Sequence, residues 1–162
     1  MNDERVILNA KIVTFNLLGG ATAFLGFALY QMFSGSAAGL DPKDPWMMIG
    51  VTLVVWVSSM GGAQVLGKIA EPKLLKENAA EQYLQFHIVR MALHEGAAMV
   101  GIVGLLMFGR SNPLPAHPET ALFVVPYLFL VASGLSNFPS MDRFREQVRL
   151  AKENESMRRK TT

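Results

Sequence analysis

From Ile12 to Phe33 the chain carries no charged residue. These are about 22 residues, and a helix rising about 1.5 Å per residue carries them about 33 Å, enough to cross the roughly 30 Å hydrocarbon core of a bilayer. Three more apolar runs, at about 47–69, 86–109 and 119–137, have comparable reach. Hydrocarbon offers no water to a backbone N–H or C=O, so each run must pair its own backbone as a helix. The predicted fold is therefore all-α, an integral membrane bundle of four transmembrane helices. With 51% hydrophobic and only 17% charged residues, the 162-residue chain reads as one membrane domain over 1–140, followed by a basic amphipathic tail over 141–162. A cleaved signal peptide competes for the first run, but such leaders have shorter apolar cores and rarely carry acids like Asp3 and Glu4.

Gly35, Gly39, Pro42 and Pro45 punctuate a loop after the first span. Pro72 closes the second helix, the third starts near Asn78, and the prolines between Arg110 and Pro118 make a stiff turn. Pro126 falls inside the fourth span and predicts a kink. In the tail, Met141, Phe144, Val148 and Ala151 recur at helical spacing beneath a basic face. Such a helix either lies on the membrane, drawn by anionic lipid head groups, or extends into water and only fixes topology. Of the 15 Lys and Arg, all but Lys43 and Arg110 fall on one side of the predicted membrane. The positive-inside rule makes that side, with both termini, cytoplasmic.

Helices in lipid associate through small residues and hydrogen bonds. Gly19, Gly20 and Ala23, Ser58, Gly61 and Gly62, and Ala97, Gly101 and Gly104 are each able to line a close contact. The polar residues of the spans gather at one depth: Asn16, then Gln64 and Lys68, then Arg90, His94 and Glu95, then Ser133. With His87 they predict a polar pocket open to the cytoplasm beneath an apolar plug. His87, Arg90 and His94 share a helix face, whereas Glu95 is about 100° round from His94.

Several chemistries lack their residues. There is no cysteine, hence no thiolate metal site or cysteine nucleophile. Haem between helices needs a His on each of two helices, and the second and fourth spans have none. His87 and His94 stand about 10 Å apart along the axis, too far to chelate one metal. No Gly-x-Ser-x-Gly elbow is present, and no basic patch interleaved with aromatics suggests nucleic acid. The chain is expected to be non-enzymatic, with no cofactor and no metal. Glu95 is the one carboxylate within the apolar part of a span. It either binds a proton or cation reversibly, or ties helices together through Gln64, Lys68 or Arg90.

The run Ala92-Leu93-His94-Glu95-Gly96-Ala97-Ala98-Met99-Val100-Gly101-Ile102-Val103-Gly104-Leu105-Leu106 resembles the ion-binding helix of the ATP synthase proteolipid, subunit c. Gly61-Gly62-Ala63-Gln64-Val65-Leu66-Gly67-Lys68-Ile69-Ala70-Glu71-Pro72 is similar to the end of that family's first helix and its polar loop. The resemblance covers Met60 to Met107, and Ala70-Glu71-Pro72 stands where the proteolipids have Arg-Gln-Pro. It implies that Glu95 carries the ion and that Gln64 is a co-ligand. The whole chain also resembles small four-span proteins of the bacterial cytoplasmic (inner) membrane, which have an Ala-Leu-x-Glu-Gly third helix and a Phe-Pro-Ser basic tail. Two functions follow as expectations: a proteolipid-like, oligomeric bundle with a proton- or cation-binding Glu95, or a structural or assembly subunit docked in a larger membrane complex.

Overall fold

The computed structural model describes residues 3–34, 45–75, 78–108 and 118–161. Most of the predicted loop after the first span, and all but Pro118 of the proline-rich turn, lie outside the described residues. The elements are α1 (Asp3–Ser34), α2 (Trp46–Ala70), a 3-10 turn (Glu71–Leu75), α3 (Ala79–Phe108), a second 3-10 turn (Pro118–Val124), α4 (Val125–Ser136) and α5 (Met141–Thr161). Among the described residues there is no strand, and four helical stretches are long and apolar enough to cross a membrane: 3–33, 46–75, 79–108 and 118–136.

Two boundaries differ from the sequence expectation. α1 is already helical at Asp3, the first described residue and well before its apolar run, and Asp3 and Glu4 are acids of the kind that favour the positive end of a helix dipole. In the fourth span Pro126 does not kink a continuous helix. It sits in the first turn of α4, where its missing N–H has no intrahelical partner to lose, and the 3-10 turn supplies the preceding residues.

α3 is the centre of the bundle. Half of its apolar window is buried, against 17% for α1 and 22% for α2, and it packs on α1, α2 and α4. Its small residues explain how. A Cβ added at Gly101 would run into the carbonyl oxygen of Phe123, and one at Gly104 would come within 2.5 Å of the Phe123 ring. Phe123 is fully buried there, stacked on Phe108 and grouped with Ile49 and Leu105. Nearer the middle, Met91 and Ala98 of α3 meet Ala21 and Leu130. By contrast, Gly19, Gly20 and Gly61 have nothing within 4 Å of such a Cβ. Within one chain these three line no close contact, whereas a Cβ at Gly62 of α2 would lie 3.6 Å from Leu93 of α3, and one at Gly134 of α4 would lie 3.0 Å from Leu18 and 3.2 Å from Met91.

The tail docks on its own protein. Ser140 caps α5, its Oγ accepting the Arg143 N–H at 3.2 Å. The predicted apolar stripe is real, and it packs inward: Phe144 and Ala151 are buried with Val6, Ile7, Leu74, Ala80 and Tyr83. Asn154 donates to Glu71 Oε1 at 2.5 Å. Outside, Arg149 bridges Glu146 at 2.6 Å and Glu153 at 2.9 Å, and Arg159 pairs with Glu155. The hydrogen-bonded Arg149 guanidinium holds the Glu146 carboxyl below the usual carboxylate range.

Two outcomes check this packing. Gly101→Ala should lower stability by about 2 kcal/mol, the cost of overpacking against a backbone carbonyl, whereas Gly19→Ala, in open space, should leave it unchanged or raise it slightly. Unfolding by titration with a denaturing detergent measures both. Phe144→Ala should release α5, seen as faster proteolysis after Arg143 and Arg145 with the four spans intact.

Candidate functional site

α1 and α3 are tied by a buried polar contact. Thr14 donates its hydroxyl proton to the Ala10 carbonyl at 2.8 Å and lies 2.7 Å from His87 Nε2. A threonine has one O–H to give, so the imidazole Nε2–H donates to Thr14 Oγ1. His87 also stacks on Tyr83, which meets Phe144 edge to face at 5.5 Å, linking α5 to this contact. The same device recurs higher in α1, where Thr22 gives its proton to the Leu18 carbonyl and accepts from the Tyr127 hydroxyl at 2.9 Å. His87 is thus a structural tie. Its partner Thr14 escaped notice in the sequence because hydroxyls are common in spans, although it lies at a similar depth in α1 to that of His87 in α3.

Arg90 points to α4. Its Nη1 donates to Asn137 Oδ1 at 3.2 Å, and Asn137 anchors its own amide on the Ser133 carbonyl at 2.9 Å. His94 is buried at 4% exposure with its ring edge-on to Phe129, centroids 5.1 Å apart. Its Nδ1 has no hydrogen-bond partner among the described residues, and neither do the buried Ser133 hydroxyl and Trp56 Nε1. Arg90, His94 and Gln64 line one cavity of about 310 Å³ between α2, α3 and α4, walled by Met60, Phe86 and Phe129.

Glu95 is not in that cavity. It is half-buried on α3 and has no hydrogen bond or ion pair among the described residues. The geometry therefore gathers Gln64 with Arg90 and His94 and leaves Glu95 apart from Gln64. Lys68 and Asn16 are exposed and Ser133 is buried. Among the described residues no three His, Asp or Glu side chains are grouped as metal ligands.

The four long apolar helices make this a multi-pass helical membrane protein. In comparisons with protein-family models, curated proteins and solved structures, no match to the chain was found.

Removing the Thr14 hydroxyl while keeping its shape should expose the tie. Thr14→Val leaves the His87 donor buried and unpaired and should cost about 1–3 kcal/mol, while Thr14→Ser should restore most of it, both read from the same detergent unfolding midpoint.

Proposed function

We propose that this chain is a non-enzymatic membrane bundle of the bacterial cytoplasmic membrane, with both termini inside, whose Glu95 takes up and releases a proton or small cation. The observation that carries the reading is the isolation of Glu95: it sits within a span and is half-buried, with no partner among the described residues. A bare carboxylate in such a place costs several kcal/mol. The acid is therefore held neutral by a proton, or balanced by an ion or a group from outside the chain. An outside group fits a proteolipid-like oligomer, in which a second copy faces Glu95. Gln64, exposed and lining the cavity with Arg90 and His94, makes no hydrogen bond to Glu95 among the described residues.

The outward glycines of α1 and α2, together with exposed Phe15, Tyr30 and Phe33, favour a second reading: a structural or assembly subunit that packs against a larger membrane complex.

A membrane-soluble carbodiimide separates the two. It attacks a protonated carboxyl in apolar surroundings, so the native protein should be labelled at Glu95 near neutral pH, and Glu95→Gln should abolish that labelling and any ion-dependent protection. An unlabelled native Glu95, with the Gln variant indistinguishable in assembly, would leave the packing role.

A further inference from the structure

The cavity between α2, α3 and α4 has a chemistry of its own, distinct from that of Glu95. Among its lining residues are one cation, Arg90, one buried imidazole, His94, one amide, Gln64, and no carboxylate. The single bond from Arg90 Nη1 to Asn137 orients the guanidinium and leaves other N–H donors of its fork for a ligand. His94 lines the same wall, and its ring has a buried Nδ1 without a partner among the described residues; a buried polar atom in a native structure calls for a partner. Gln64, exposed, marks the mouth. The remaining walls, including Met60, Phe86 and Phe129, are apolar, and the volume lies at the lower end of small-molecule sites, about 300–1,000 Å³.

We propose that this cavity binds a phosphate group, with Arg90 making the charge-assisted hydrogen bonds, the His94 imidazole and the Gln64 amide completing the cradle, and the apolar walls receiving whatever hydrocarbon the phosphate carries. A guanidinium matches phosphate oxygens in pairs. Without a nearby acid, only an anion balances the charge. The phosphate belongs either to an anionic phospholipid entering from the bilayer or to a free phosphate compound from water.

Trp56 is placed to report on occupancy, since its ring lies edge to face on Phe129, 5.7 Å between centroids. With Trp46→Phe as background, Trp56 becomes the only tryptophan, because the chain has 2. The full-length protein is reconstituted in vesicles of brominated phosphatidylcholine with or without brominated phosphatidylglycerol, and inorganic phosphate is titrated separately. Saturable extra quenching by phosphatidylglycerol, unaffected by inorganic phosphate, assigns the site to a lipid head group. A saturable Trp56 response to inorganic phosphate that displaces any lipid effect assigns it to a soluble phosphate. In either case Arg90→Gln should weaken binding about tenfold, as loss of one charge-assisted bond implies. Asn137→Ala, which removes only the orienting bond, should weaken it less. Equal quenching by the two lipids with no saturable phosphate response overturns the proposal, as does a response that survives Arg90→Gln. Should that variant lose helix content by circular dichroism, Gln64→Leu at the exposed mouth carries the same test: binding must fall, and unchanged binding overturns the cradle.

Discussion

Everything in this bundle is hung on the close approach of Phe123 to α3. In lipid, two helices gain little from burying apolar surface against each other, so what holds them is van der Waals contact at short range and the hydrogen bonds that short range permits. Gly101 and Gly104 let the Phe123 backbone and ring reach α3 directly, and Phe123 belongs to the 3-10 turn that leads into α4. With that turn fixed, Pro126 begins the helix, and α4 descends so that Phe129, Gly134 and Asn137 pass His94, Met91 and Arg90 in turn. The position of every polar group on α4 is thus set by two glycines one turn apart on another helix.

Polar contacts then fix the rotation of the helices. Thr14 with His87 and Thr22 with Tyr127 place α1 against α3 and α4. In both, the threonine first satisfies a carbonyl one turn back and then accepts from its partner, so no donor is left unpaired in the apolar layer. Elsewhere His94, Trp56, Ser133 and Thr52 keep buried atoms without partners among the described residues, Thr52 beside the close approach at Gly101.

The helical class, the four spans and the amphipathic tail were legible in the sequence because each depends on one helix at a time: run length gives a span, and residue period gives a stripe. What was not legible depends on pairs of helices. The stripe of Phe144 and Ala151 said that α5 has an apolar face, but not that Val6, Leu74 and Tyr83 would cover it. Gly19 and Gly101 look alike as letters, yet one faces open space and the other a carbonyl. By depth, Gln64, Arg90, His94 and Glu95 share one layer. Depth does not fix how far α3 is turned relative to α2 and α4, and that rotation keeps three of them together and excludes the fourth.

The exclusion of Glu95 follows from α3 itself. Arg90 and Glu95 are five residues apart, about 140° around a helix, so the pairing available at three or four residues is denied to them. Moving the acid one residue earlier would have set it four residues after Arg90, on the same face, and the two charges would have neutralised each other within the chain. As built, the cation faces the cavity beside Asn137 and the acid lies outside it. Neither is discharged by the other. On the two proposals made above, an anion in the cavity balances the first, and a proton, a cation or a neighbouring subunit balances the second.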